Sequence, residues 1–107
     1  MDRLKTLMQY HKEDPDDSFI RFAIASEYVK QGDDESARSW FEALCDRDPD
    51  YVGTYFHLGK LYERLGEKQT ALKTYKTGAE VASKISDFHA RSELQSALLE
   101  AEGMGFD

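Results

Sequence analysis

Shifted against itself by 34 residues, the chain lays Asp14-Pro15-Asp16 on Asp48-Pro49-Asp50. The same shift pairs Phe22 with Phe56, Tyr28 with Tyr62, Gly32 with Gly66 and Ala37 with Ala71. Similar residues join them: Ile24 with Leu58, Ala25 with Gly59, Phe41 with Tyr75, Lys30 with Arg64 and Asp33 with Glu67. Turn residues, small residues and aromatics held in one register mark a tandem structural repeat, because each kind has a different physical reason for its place. A period in this range fits a supersecondary unit that buries its apolar face only by stacking on a neighbour.

Each unit reads as two helices. In the first, apolar residues at 20, 24 and 28 and at 19, 22 and 29 predict a helix over about 17–31. Gly32 then ends it, since glycine tolerates the left-handed conformation that follows a helix. Asp33 is placed to cap a second helix over about 34–46, whose stripe is Ala37, Trp40, Phe41, Leu44 and Cys45. The second unit repeats the scheme, with helices over about 51–65 and 68–83 and a turn at Gly66. Small residues at Ala25, Gly59, Ala37 and Ala71 are expected to let paired helices approach. Tyr28, Tyr62, Phe41 and Tyr75 are expected to fill the space around that contact.

This spacing resembles the tetratricopeptide repeat family, whose signature runs aromatic, Leu-Gly, Tyr, Gly, Ala, aromatic and Pro. The second unit carries it as Tyr55, Leu58, Gly59, Tyr62, Gly66, Ala71 and Tyr75, with Ser83 where the closing proline would stand. The first carries Ile24, Ala25, Tyr28, Gly32, Ala37, Phe41 and Pro49, with Arg21 in place of the leading aromatic. The resemblance covers about residues 14–83 and suggests a short bacterial-type member. It implies an all-α fold, a right-handed superhelix of antiparallel helix pairs. Two repeats, 17–47 and 51–83, leave apolar faces open, since a stack closes at roughly three. Residues 2–13, with Leu4, Leu7, Met8 and Tyr10, read as a lone second helix of a missing upstream unit. Residues 86–102, with Phe88, Leu94, Ala97, Leu98 and Ala101, resemble the family's capping helix. About six helices then make a single domain over 1–107, ending in a flexible tail at 103–107.

Charge narrows the partners. The net charge is −7 over 107 residues. An acidic chain gains nothing from releasing counterions on a phosphate backbone, and an anionic membrane surface repels it. No nucleic acid and no membrane are therefore expected as partners. The acids gather at Glu13–Asp14 with Asp16–Asp17, at Asp33–Asp34–Glu35, and at Asp46, Asp48 and Asp50. Such places are solvated loops and helix starts, where carboxylates cap free N–H groups. One cysteine, Cys45, makes an internal disulfide impossible, and no apolar stretch reaches the length of a membrane span. The cytoplasm is the expected compartment.

Chemistry is sparse. His11, His57 and His89 lack paired-ligand spacing, and Cys45 has no second cysteine, so no metal site is expected. On a stripe beside Leu44, Cys45 reads as a small core residue. Gly32 and Gly66 are lone turn residues that cradle no phosphate. Neither a catalytic constellation nor a cofactor is expected, and the chain reads as a non-enzyme.

The resemblance directs attention to the concave face made by the first helix of each pair. The family's groove positions fall on Phe19, Phe22, Ser26, Val29 and Lys30 in the first unit and on Phe56, Lys60, Glu63 and Arg64 in the second. A protein or peptide partner would set apolar residues on the phenylalanines and acids on Lys30, Lys60 and Arg64, which makes the chain an adaptor. Alternatively, flanking helices bury the phenylalanines and the cations merely solubilise. A subset of the family clamps C-terminal carboxylates with Lys and Asn. Its positions hold Phe22, Ser26, Lys60, Ala90 and Leu94 here, of which Lys60 alone suits. Self-association as a homo-oligomer, or a role as the non-catalytic subunit of a larger complex, is the competing reading.

Overall fold

The computed structural model describes residues 2–103, and these form six α-helices and no strand. They are α1 (Arg3–Glu13), α2 (Ser18–Lys30), α3 (Asp34–Arg47), α4 (Gly53–Arg64), α5 (Lys68–Lys84) and α6 (Phe88–Glu102). The expected tail lies, beyond Gly103, outside the described residues. Carboxylates start four of the helices. Asp2, Asp17, Asp33 and Asp87 each accept a hydrogen bond from a backbone N–H two or three residues on, satisfying a donor the helix leaves free. The fourth helix differs from expectation. It begins at Gly53 and not at residue 51, because Val52 offers no capping oxygen and a turn closed by Thr54 N–H on the Tyr51 carbonyl comes first.

Gly32 and Gly66 end α2 and α4 at φ of 79° and 80°, as the stripe pattern predicts. Behind each, the next amide reaches back across the turn: Asp33 N–H to the Tyr28 carbonyl, Glu67 N–H to the Tyr62 carbonyl. That closure satisfies a carbonyl the helix end would otherwise orphan. The same closure ends α5, with Asp87 N–H on the Ala82 carbonyl, yet its left-handed residue is Ser86 at φ 61°.

The chain divides into two compact units, one up to Asp48 and one from Pro49. In the first, α2 packs against α3 and α1 lies on α2. Leu7, Ala23 and Ile24 form a buried cluster, flanked by Leu4, Met8, Ile20, Tyr28 and Trp40. Ala25, Ala37, Phe41 and Leu44 are fully buried, while Cys45 is only half-buried. Tyr10, expected on the apolar stripe of α1, is instead exposed, since the stripe that meets α2 is Leu4, Leu7 and Met8.

In the second unit, α5 packs on both α4 and α6, and α4 also touches α6. Tyr75 and Ala71 are fully buried, with Leu58, Leu61, Tyr62 and Leu94 nearly so. Two glycines set how closely these helices approach. A methyl group on Gly59 would stand 2.2 Å from Cε1 of Tyr75. One on Gly78 would stand 2.5 Å from Cβ of Tyr55 and 3.1 Å from Cδ1 of Leu94. Phe88, expected on the buried stripe of α6, is 57% exposed and carries the Arg91 guanidinium over its ring at 5.0 Å.

Candidate functional site

The two units each present a face of the first helix of a repeat. On α2, Phe19 is 67% exposed and Lys30 is exposed, whereas Ser26 and Val29 are half-buried. Phe22 is half-buried as well, its ring edge-on to the buried Phe41 at 5.7 Å. Phe22 thus belongs partly to the core, and a quadrupole-aligned aromatic pair holds it there. Lys30 lies 3.9 Å from Glu27, which also forms an ion pair with Arg3 at 3.3 Å, so this cation is partly neutralised along its own helix.

On α4, Phe56 and Lys60 stand one turn apart, and Lys60 Nζ sits 5.4 Å above the Phe56 ring. A cation over an aromatic face is attracted by the ring quadrupole, and this one stays exposed to a ligand. Phe56 and Lys60 line one wall of a cleft of about 300 Å³. Its other wall is α6, with Ser92, Glu93, Ser96 and Glu100 around Ala97. His89 stands at its edge, 3.6 Å from Glu93. The cleft therefore offers an apolar floor, one cation, two carboxylates and two hydroxyls.

Glu63 and Arg64, expected beside them, do not line this cleft. The Glu63 carboxylate accepts a short hydrogen bond from the buried Tyr75 hydroxyl and so ties α4 to α5. Burial and that bond push the Tyr75 hydroxyl well above its usual range, leaving it a donor at any ordinary pH. Arg64 is exposed on the last turn of α4, where a cation suits the helix dipole.

Sequence reasoning missed the α6 wall, because that helix lacks the repeat signature and its polar residues look like an ordinary solvated face. It also passed over what Arg21 does. The Tyr55 hydroxyl donates to the Pro49 carbonyl at 2.6 Å. One repeat earlier, Arg21 Nε donates to the Pro15 carbonyl at 2.8 Å, joined by Nη2. The arginine that breaks the motif therefore makes the same backbone contact as the tyrosine it replaces.

Elsewhere, burial raises the Cys45 thiol to about 11, helped by Asp46 and Glu42, so it stays protonated and a weak nucleophile. Among the described residues no group of three His, Cys, Asp or Glu side chains could hold a metal ion. Nor is any described helix long and apolar enough to cross a membrane.

Comparison with known proteins agrees with the helical-repeat fold. A TPR repeat model matches residues 25–66, and a tetratricopeptide repeat model matches residues 52–85. A tetratricopeptide repeat domain protein from Salinibacter ruber, solved by NMR, is 49% identical. Its match covers 88% of this chain and 95% of that one, with a TM-score of 0.82. A TPR repeat-containing protein of Pseudomonas aeruginosa is 27% identical over 79 residues, 74% of this chain and 75% of its own. The TPR2B domain of yeast Sti1, solved in complex with pHsp70, superposes with a TM-score of 0.86. It is 17% identical over 94% of this chain and 80% of that one.

Proposed function

The chain belongs to the tetratricopeptide repeat family, and from that premise we propose that it is a protein-interaction module that holds a segment of a partner protein. The observation that carries the reading is the cleft between α4 and α6, where Phe56 lies under Lys60 and faces Ser92 and Ser96. An apolar side chain of the partner seats on Phe56 and Ala97. An acidic one meets Lys60, and the serines serve the partner's backbone, the usual division between an apolar anchor and polar orienting groups. Glu93 and Glu100 favour a segment that also carries a base. Within the first unit we assign a contact face of its own to α2, made by Phe19, Phe22, Ser26, Val29 and Lys30, and within the second Glu63 and Arg64 extend the face of α4. Phe19 is the most exposed of the apolar residues named and Phe22 the one with most to do in the core. The yeast Sti1 domain, which shares the fold and was solved with pHsp70, supports a protein ligand.

Capture from the native cell tests this. Wild-type bait is compared with a Phe56→Ala, Lys60→Glu double variant whose helical content has been checked by circular dichroism. The partner recovered by the wild type should be lost with the variant. Recovery of the same partner in the same yield would move the site elsewhere.

Self-association is the second reading, and it rests on Ile85, Phe88 and Leu99, three large apolar residues exposed at the end of α5 and on α6. Light scattering separates the two: a stable dimer abolished by Phe88→Asp with Leu99→Asp supports it, and a monomer at high concentration removes it.

A further inference from the structure

Arg21 carries a charge that its structural task does not need. Tyr55 closes the equivalent turn with a neutral hydroxyl, whereas Arg21 closes its own with two N–H groups of a guanidinium. The residue is only 8% exposed. A buried cation ordinarily has a carboxylate beside it, because leaving water is unfavourable unless a counter-charge takes water's place. Among the described residues none pairs with Arg21. Asp16, the acid whose field reaches it, is held by Arg47 at 2.7 Å.

That guanidinium lines a pocket of about 260 Å³ within the first unit, together with His11, Ser39, Trp40 and Ala43. The His11 ring stands edge-on to Trp40, centroids 5.1 Å apart at 79°, and its buried Nδ1 has no hydrogen-bond partner. His11 from α1 and Arg21 from α2 line the pocket, and the charges whose fields reach them are Asp16 from the loop after α1 and Arg47 from α3. Arg47 and Asp16 cancel, so the surplus is positive, in a chain whose net charge is −7. Burial and the neighbouring arginines hold His11 below its ordinary range, and Arg21 is lowered in the same way by burial and Arg47. A guanidinium has five N–H donors, and Pro15 takes two. In the second repeat the same register holds Tyr55, Lys73, Thr74 and Thr77, so the pairing of cation and indole belongs to the first repeat and is no requirement of the fold.

We propose that this pocket receives a side-chain carboxylate of an acidic partner segment, with an adjoining apolar side chain lying on Trp40. The carboxylate supplies the counter-charge that Arg21 lacks and makes charge-assisted hydrogen bonds with its free N–H groups. A protein segment suits the pocket better than a free small acid. At about 260 Å³ it is smaller than the ~300–1,000 Å³ that encloses a free ligand, so the rest of the affinity comes from the chain to which the carboxylate is tethered. This site shares no residue with the cleft between α4 and α6, and the two stand or fall separately.

Trp40 is the sole tryptophan of the chain, so its emission reports on the pocket directly. The probe is an array of acetylated, amidated hexapeptides in which each Asp or Glu adjoins Phe, Leu or Ile in every order, titrated against the full chain. Some members should shift Trp40 emission saturably. Binding should weaken at least ten-fold when the acid becomes Asn or Gln, and at least ten-fold in Arg21→Gln, which removes the charge and retains one amide donor. Should Arg21→Gln lose helical content, the paired acid and amide peptides on the unaltered protein decide alone. Absence of saturable binding across the array, equal binding of acid and amide peptides, or unchanged binding in folded Arg21→Gln would each overturn the proposal. Phenylacetate binding more tightly than any peptide would overturn the assignment to a protein segment.

Discussion

Replacing Gly59 by Ala inverts the usual effect of such a change. In a helix interior Ala is favoured over Gly by about 1 kcal/mol, so propensity alone predicts a stabilised protein. The added methyl, however, falls 2.2 Å from Tyr75 Cε1 and 2.7 Å from Cδ1 and Cζ. The ring has no easy retreat. Tyr75 is fully buried, and its hydroxyl is fixed on the Glu63 carboxylate. Overpacking of this kind costs about 1–3 kcal/mol, and dislodging a hydrogen bond to a charged acceptor adds about 1.5–3 kcal/mol. Less the propensity gain, the loss comes to about 1.5–5 kcal/mol. At about 4–8 °C per kcal/mol for a domain of this size, the melting temperature should fall by roughly 6–40 °C. Thermal unfolding followed by circular dichroism measures it. A double-mutant cycle with Tyr75→Leu then isolates the contact: the two changes should combine to less than their sum by about 1–2 kcal/mol. A stabilised Gly59→Ala, or strict additivity with Tyr75→Leu, would refute the close approach of α4 and α5 described above.

Three further outcomes follow from single residues. Gly66→Ala should destabilise by about 1 kcal/mol through the left-handed backbone alone, since a methyl there meets nothing within 4 Å, and denaturant titration measures it. Ser86→Gly should stabilise by about 0.5 kcal/mol, the relief of φ 61° less the extra freedom glycine gives the unfolded chain; an unchanged or lower denaturation midpoint contradicts it. His11 is held below its ordinary 6.5 when folded, so the unfolded chain takes up the proton first and acid weakens the fold. This contribution is complete above about pH 6.5 and is lost progressively as pH falls below it. His57 has the same sign, through burial opposed by Glu93. Melting temperatures between pH 7.5 and 5 should drop less in His11→Gln than in the wild type, and an equal drop would show that His11 carries none of it.

What the sequence made legible is what local chemistry dictates. Asp17, Asp33 and the glycines at 32 and 66 mark helix ends because capping and the left-handed turn are settled by one or two residues. Ala37, Ala71, Phe41 and Tyr75 were readable as core because they recur in register and face the paired helix. The features that escaped depend on the partner across a contact. Gly78 looks like a defect inside a helix until Tyr55 and Leu94 are seen against it. Arg21 looks like a broken motif until its donors meet the Pro15 carbonyl. Glu63 reads as a groove charge because nothing in the spacing announces a bond to Tyr75. The capping helix supplies a wall of the candidate cleft through Ser92, Ser96 and Glu100, polar residues with no signature to single them out.

The claim that the cleft between α4 and α6 holds a partner protein is tested most directly by trapping the partner in place. A photo-crosslinking phenylalanine analogue at Phe56 is compared, in the native cell, with the same analogue at the exposed Glu42 of α3. Position 56 should give a discrete adduct that disappears when Lys60 is also changed to Glu, and position 42 none of that mass. The same adduct formed from position 42, with none from position 56, would contradict it.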